Sequence, residues 1–80
     1  MDMVNVKMVP VSSSNLKAIG WIEKNPKVDG SIDMIAVEFH RGAVYHYFPV
    51  TRKQYEEGIK AVKASEWFNS FKVGKGFKKV

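Results

Sequence analysis

The chain has 80 residues and no cysteine, and its 13 Lys+Arg against 8 Asp+Glu give a formal net charge of +5 at pH 7. This length allows one domain and excludes a two-domain cofactor enzyme, while the lack of cysteine excludes disulfide scaffolds and cysteine-based zinc sites. No apolar stretch approaches the roughly 20 residues of a membrane span, and the N-terminal residues lack the pattern of a signal peptide. We therefore expect a cytoplasmic protein of one domain without membrane contact.

The first part of the chain has the patterns of short strands. Alternating apolar side chains predict a strand over residues 4–11, which Pro10 makes short or places at a sheet edge. The serine-rich residues 12–15 predict a turn, because short polar side chains bond the local backbone. A second strand is predicted over 16–22, and turn residues over 24–31 predict a loop.

The clearest element is a hairpin over residues 34–48, for which two registers are possible. A two-residue turn at 41–42 would place Tyr45 and Tyr47 on the face opposite to the apolar side chains of the first strand. A three-residue loop at 40–42, with its glycine left-handed, would place both tyrosines on the same face as those side chains. We prefer the three-residue loop, because two-residue turns favour Asn-Gly or Asp-Gly, whereas a bulged glycine tolerates a preceding arginine.

From residue 51 onward the apolar side chains have the spacing of a helix. Thr51 and Gln54 form the sequence pattern of a capping box, in which each side chain bonds the other residue's backbone. Tyr55, Ile59 and Val62 follow at i, i+4 and i+7 and predict one apolar stripe.

Two further features concern the helices. Gly58 weakens the first helix by about 1 kcal/mol relative to alanine, so we expect it where another backbone segment comes close. Ser65 is predicted as the N-cap of a second helix, with Glu66 near its positive end and the helix broken at residues 74 and 76. The apolar face of this second helix consists of three aromatic residues, Trp67, Phe68 and Phe71. Together the patterns predict an α+β fold, a small antiparallel meander of about four strands followed by two C-terminal helices packed on it.

The same chain resembles a known family. The motifs that carry the resemblance are Val11-x-Ser13-Ser14-Asn15-Leu16, Ile19-Gly20-Trp21, Val37-Glu38-Phe39, Gly42-Ala43-Val44-Tyr45-His46-Tyr47-Phe48, Val50, Ala64-Ser65 and Phe68-Asn69. In this order they resemble the KTSC domain, which is found at the C-terminus of some lysyl-tRNA synthetases and as a stand-alone protein. The resemblance covers about residues 11–77, with an extra strand over 1–10 and a longer loop over 24–31. It implies a small α+β domain and suggests RNA binding.

Basic and aromatic side chains predict a surface that binds RNA or another single-stranded nucleic acid. No acidic residue follows Glu66, although four lysines do. Lysines contact phosphates and release counterions, and aromatic rings stack on bases. The predicted nucleic-acid-binding residues are Arg41, Tyr45, Tyr47, Lys72, Lys75, Phe77, Lys78 and Lys79.

Each part of this surface has a structural alternative. Lysines over residues 72–79 also suit a solvated, frayed tail. Tyr45 and Tyr47 would, in the preferred register, pack against the helix stripe, and core packing is the interpretation we favour for the pair.

A second hypothesis is a protein-interaction, accessory or regulatory module with no nucleic-acid contact. Trp21, Trp67 and the strand edge over residues 4–8 would then bind a protein partner. Catalysis has little support, because His40 and His46 are the only histidines and no ligand spacing completes a metal site. We therefore expect no enzyme activity, no catalytic residue, no cofactor and no bound metal, and the sequence indicates no particular oligomeric state.

Overall fold

The computed structural model of this chain describes residues 6–24, 27, 29–30 and 32–80. Its elements in chain order are β1 (Met8–Pro10), β2 (Leu16–Ile22), β3 (Met34–Phe39), β4 (Val44–Phe48), α1 (Arg52–Lys60), α2 (Ala64–Phe71) and β5 (Gly76–Lys79). The strands form one antiparallel sheet in the order β1-β2-β3-β4-β5. The predicted α+β fold is confirmed, and a fifth strand follows the helices and pairs with β4.

The predicted strands agree with this sheet where the structure describes them. The strand predicted over 16–22 is β2, and the strand predicted over 4–11 is observed as β1. Residues 4 and 5 of that prediction lie outside the described residues, as does part of the loop predicted over 24–31.

One face of the sheet is covered by α1 and α2. Successive side chains of a strand point to opposite faces, so cross-strand partners share a face. On the covered face Val37 of β3 lies between Ile19 and Tyr45, and Ile35 lies between Trp21 and Tyr47. The residues that make up the buried core are Leu16, Ile19, Ile35, Val37, Tyr47, Val50, Tyr55, Ala64, Phe68 and Phe71.

The turn between β3 and β4 is the preferred three-residue loop. The Phe39 N–H donates to the Ala43 carbonyl over 2.9 Å, and the Gly42 N–H donates to the Phe39 carbonyl over 2.8 Å. Gly42 has a φ of +98°, in the left-handed region that glycine enters without a steric cost. This register places Tyr45 and Tyr47 on the face covered by the helices.

Helix α1 begins with the predicted capping box. The Thr51 hydroxyl accepts from the Gln54 N–H, and the Gln54 side-chain oxygen accepts from the Thr51 N–H, each over 3.1 Å. The prediction that Val62 continues the apolar stripe is wrong, because Val62 lies beyond the helix and is 87% exposed. The chain leaves the helical path at Ala61, whose ψ of 135° is extended.

Helix α2 begins two residues earlier than predicted. Ala64 is its first residue, and Lys63 is the N-cap residue without a side-chain capping bond. Ser65 lies inside the first turn, so its predicted role as N-cap is wrong. The carbonyl of Ser12 instead accepts the Ala64 N–H over 3.2 Å and satisfies one of the free donors of the helix start. Glu66 lies in the first turn as predicted.

Gly58 is the place where α1 and α2 come close, but its neighbour is a side chain and not a backbone segment. A Cβ at Gly58 would lie 2.7 Å from Cη2 and Cζ2 of Trp67. The Trp67 indole is itself stacked on Phe71, with ring centroids 4.8 Å apart and an interplanar angle of 15°. The missing side chain of Gly58 therefore makes room for the indole.

We expect Gly58→Ala to lower the free energy of unfolding by about 1 kcal/mol. Alanine normally stabilises a helix interior by about 1 kcal/mol relative to glycine, but overpacking costs about 1–3 kcal/mol, so the clash with Trp67 outweighs the gain. Urea denaturation measures the difference. The exposed neighbour Glu57→Ala is the control and should change stability by no more than about 0.5 kcal/mol. A more stable Gly58→Ala protein would contradict the packing described here.

Candidate nucleic-acid interface

A cavity of about 380 Å³ lies where two turns of the sheet meet α2. We call it the basic cavity, and the residues that line it are Ser14, Asn15, Leu16, Phe39, His40, Arg41, Ser65, Phe68, Asn69 and Lys72. Arg41 and Lys72 bring positive charge to it, and no acidic residue is among its lining residues. Sites for small ligands have volumes of about 300–1,000 Å³, so the basic cavity has room for one small anion-bearing group.

Helix α2 supplies one side of the basic cavity. Ser65, Phe68, Asn69 and Lys72 are spaced i, i+3, i+4 and i+7, which places them on one helix face. Phe68 is buried in the core, whereas Asn69 and Lys72 are exposed. The Lys72 ammonium nitrogen lies 5.4 Å from the centroid of the Phe68 ring.

The two turns on the other side are joined to each other by hydrogen bonds. The His40 N–H donates to the Asn15 carbonyl over 3.0 Å, and His40 Nε2 lies 3.0 Å from the Ser13 carbonyl oxygen. Because a carbonyl oxygen only accepts, Nε2 is the ring nitrogen that carries hydrogen. The Ser13 hydroxyl also accepts from the N–H groups of Asn15 and Leu16, each over 3.1 Å. These bonds hold this side of the cavity in place.

A row of aromatic rings leads from the basic cavity to β5. The ring of Phe39 lies edge-on to Phe68 and to Tyr45, with a centroid distance of 5.9 Å in each case. The Tyr45 ring lies 6.2 Å from that of Phe77, which is 63% exposed. We call Phe68, Phe39, Tyr45 and Phe77 the aromatic row, and its Phe77 end is open to solvent.

Three cations accompany the aromatic row. The Arg41 guanidinium carbon lies 5.6 Å from the Phe39 centroid, and Lys79 is the cross-strand partner of Tyr45. Lys72 is the third cation. Among the described residues, none of the three forms an ion pair with a carboxylate. A second cavity, of about 630 Å³, extends from Arg41 to Lys79. We call it the strand groove. Its lining residues are Arg41, Gly42, Ala43, Val44, Tyr45, Lys79 and Val80.

The structure thus gathers five of the eight predicted site residues on one side of the domain: Arg41, Tyr45, Lys72, Phe77 and Lys79. Tyr47 lies beside Phe77, its cross-strand partner, at a ring-centroid distance of 5.9 Å, but it is buried in the core. It is 9% exposed, and its ring lies 5.1 Å from that of Phe68. Burial, and to a lesser extent the neighbouring Tyr45, raises the pKa of Tyr47. Core packing, the favoured interpretation, is what the structure shows for Tyr47, whereas Tyr45 is half-buried at the strand groove.

Lys75 has a structural position. Its ammonium nitrogen donates to the Pro49 carbonyl over 2.7 Å and to the side-chain oxygen of Gln54 over 3.2 Å. It also lies 4.9 Å from the centroid of the Phe71 ring. Lys75 therefore joins the segment before β5 to the start of α1, and these contacts engage the ammonium group that a phosphate would need.

Lys78 lies on the other face of the sheet, as the cross-strand partner of His46. Partial burial, and after it the positive charge of Lys78, lowers the pKa of His46 below its ordinary value of 6.5. The unfolded chain consequently binds more protons than the folded one between the folded pKa and pH 6.5. The stability that His46 contributes is present above pH 6.5 and is lost as the pH falls from 6.5 through the folded pKa.

We expect Lys78→Gln to raise the pKa of His46, since the substitution removes the second of the two causes that lower it. A titration of the His46 ring protons by NMR measures the change. Lys79→Gln is the matched control, because Lys79 lies on the covered face and should leave the His46 titration unchanged. An equal rise in both variants would mean that net charge, and not the cross-strand pairing, sets this pKa.

The described residues contain no group of three or more His, Cys, Asp or Glu side chains placed to hold a metal ion. His40 lies at the β3–β4 turn, and His46 lies within β4. Within the same part of the chain, neither helix is long and apolar enough to cross a membrane.

Among the lining residues of the basic cavity, only Arg41 and Lys72 are predicted site residues. The polar lining residues that the sequence did not indicate are Ser14, Asn15, His40, Ser65 and Asn69. The i, i+4 and i+7 spacing of Ser65, Asn69 and Lys72 was a signal for the helix side, but it required the correct start of α2. The turn side had no comparable local signal, because residues far apart in sequence meet there.

A model of the KTSC domain family matches residues 12–75 of this chain, which is well over half of its length. The match includes every lining residue of the basic cavity, whereas Phe77 and Lys79 lie beyond it. Comparison with curated proteins finds no match.

Proposed function

This chain belongs to the KTSC domain family, and we propose that it is a binding module, without catalytic activity, for single-stranded nucleic acid and in particular RNA. The observation that carries the proposal is the set of three cations beside the aromatic row. Arg41, Lys72 and Lys79 have no carboxylate partner among the described residues, so their charges are available to an anionic ligand. The bound strand would run from the basic cavity along the strand groove to Phe77.

The chemistry of the surface suits a flexible polyanion with flat bases. Each phosphate that a cation neutralises releases counterions, which drives binding at low salt. The exposed ring of Phe77 and the half-buried ring of Tyr45 offer stacking surfaces, and such stacking contributes roughly 1–3 kcal/mol per base. RNA is preferred in the proposal because the KTSC domain also occurs at the C-terminus of some lysyl-tRNA synthetases.

The alternative of a protein-interaction module receives less support. Trp21, one of its two proposed contact residues, is half-buried beneath Tyr55 and Arg52. The ring centroids of Trp21 and Tyr55 are 5.5 Å apart, and the guanidinium carbon of Arg52 lies 5.3 Å from the Trp21 centroid. Trp67, the other, is half-buried between Gly58 and Phe71. Both indoles thus contribute to packing within the domain, which leaves less of their surface for a protein partner.

The test is a binding isotherm of the whole chain with a short, labelled single-stranded RNA, repeated across a series of salt concentrations. If Arg41, Lys72 and Lys79 together neutralise two or three phosphates, the logarithm of the association constant should fall linearly with the logarithm of salt concentration, with a slope of about −1.4 to about −2. Lys60→Gln, an exposed position on α1 away from both cavities, should keep the slope. A flat salt dependence, or no binding at low salt, would refute the proposal.

A further inference from the structure

We infer that the basic cavity is a subsite for one nucleotide, whose phosphate is bound by Arg41 and Lys72 and whose base edge is read by the amides of Asn15 and Asn69. The inference rests on the proposed function, because the nucleotide is taken as one unit of the bound strand. A free mononucleotide has the same chemistry, and the experiment below separates the two sources.

The size of the basic cavity favours a single nucleotide. Its volume of about 380 Å³ is near the lower end of the roughly 300–1,000 Å³ found for small-molecule sites. The strand groove is larger, about 630 Å³, and Arg41 lines both cavities. Arg41 thus lies at the junction between the nucleotide in the basic cavity and the neighbouring nucleotides of a strand.

The charge of the basic cavity favours a phosphate. Arg41 presents a planar fork of N–H donors that suits phosphate oxygens, and Lys72 presents a compact ammonium group. Among the described residues, the charged group of each side chain contacts an aromatic ring and no carboxylate. The guanidinium of Arg41 lies over Phe39, and the ammonium of Lys72 lies over Phe68. Such contacts at exposed positions are weak, so a phosphate can take the charged groups without breaking an ion pair.

The neutral groups of the cavity distinguish a nucleotide from inorganic phosphate. Asn15 and Asn69 are exposed, and neither side-chain amide forms a hydrogen bond with another described residue. Each amide offers both donors and an acceptor, the combination that reads the edge of an unpaired base. The hydroxyls of Ser14 and Ser65 add two more groups of the same kind.

The two ends of the surface therefore differ in what they recognise. Tyr45 and Phe77 offer ring surfaces on which any base stacks, so contacts there tolerate different sequences. Asn15 and Asn69 offer hydrogen bonds of defined direction, and a bidentate amide–base pair discriminates strongly between bases. Base preference should consequently depend on the basic cavity and not on the β5 end.

The experiment compares four single-stranded RNA homopolymers of equal length with four nucleoside monophosphates and with inorganic phosphate. The full chain is used, with affinity from fluorescence anisotropy or calorimetry and NMR shifts of the Asn15 and Asn69 side-chain amides. We expect one base to be preferred by about tenfold among the homopolymers. The matching monophosphate should shift both amides and bind more tightly than inorganic phosphate.

Substitutions then test the assignment of the amides. Asn69→Ala should reduce the base preference to less than about twofold while keeping salt-dependent binding of mixed-sequence RNA, and Asn15→Ala should act in the same direction. The adjacent exposed residue Ser70 does not line the cavity, so Ser70→Ala is the matched control and should keep the preference. Asn69 and Ser70 are both exposed residues of α2. Circular dichroism checks that each variant keeps the fold.

The remaining outcomes separate this inference from the proposed function. Equal affinity for all homopolymers, with the salt dependence intact, would overturn the nucleotide subsite and leave RNA binding in place. Binding of a monophosphate without binding of RNA would refute the proposed function and assign the cavity to free nucleotides. Inorganic phosphate that binds as tightly as every monophosphate would overturn the role of the amides.

Discussion

Replacing both Arg41 and Lys72 with glutamine is expected to lower RNA affinity about 100-fold at low salt, which is the largest effect on binding that the structure predicts. A hydrogen bond to a charged group contributes about 1.5–3 kcal/mol, so each cation accounts for about tenfold or more. Both side chains are exposed and lie in the basic cavity, and neither forms an ion pair among the described residues. The double variant should therefore keep its fold, which a thermal unfolding curve checks.

The control for this variant must change the net charge by the same amount. Lys53→Gln combined with Lys60→Gln removes two positive charges from exposed positions of α1 that line neither cavity. We expect this protein to bind RNA within a few-fold of the original chain, since these lysines do not contact the ligand and the Coulomb energy falls with distance. Equal losses in the two double variants would show that net charge alone determines binding, contrary to the assignment of the basic cavity.

The largest effect on stability is expected from Ile35→Ala. Ile35 is 0% exposed, and it lies on the covered face between its cross-strand neighbours Trp21 and Tyr47. Truncation of a buried isoleucine removes apolar contacts and leaves a cavity, at a cost of about 2–5 kcal/mol. Domains as a class unfold at roughly 5–15 kcal/mol, so this loss is a large fraction of the total.

Ile32 provides the same substitution at an exposed position. It is 41% exposed, so we expect Ile32→Ala to change the free energy of unfolding by no more than about 0.5 kcal/mol. Urea denaturation of the two variants, with the slope of the transition compared as well as its midpoint, measures both values. A loss for Ile35→Ala no greater than that of Ile32→Ala would contradict the described core.

The candidate site was predictable in part from residue types. Arg41 and Lys72 stand out in the sequence because they are cations near turns and aromatic residues, and both line the basic cavity. Lys75 has the same sequence signature, yet its ammonium group is engaged by Pro49 and Gln54. Charge identifies candidates, whereas the partner that a lysine finds depends on which backbone carbonyls the fold brings near it.

The strand and helix patterns of the sequence correctly predict the α+β fold. The sequence by itself determined the capping box of Thr51 and Gln54 and the bounds of β2, and it favoured the loop at Gly42 over a two-residue turn. These features depend on interactions within a few residues, such as a side chain bonding the adjacent turn or a glycine with positive φ, so a local pattern is sufficient to predict them.

Only the tertiary structure decided the remaining features. The segment over residues 76–79 is lysine-rich and suits a solvated tail, but its backbone pairs with the free edge of β4 and becomes β5. Ser65 has the chemistry of an N-cap, but the distant Ser12 carbonyl serves the start of α2. The basic cavity likewise forms where two turns, joined through His40, meet a helix that follows much later in the chain. Each of these outcomes depends on hydrogen bonds or packing between segments far apart in sequence, and no local pattern contains that information.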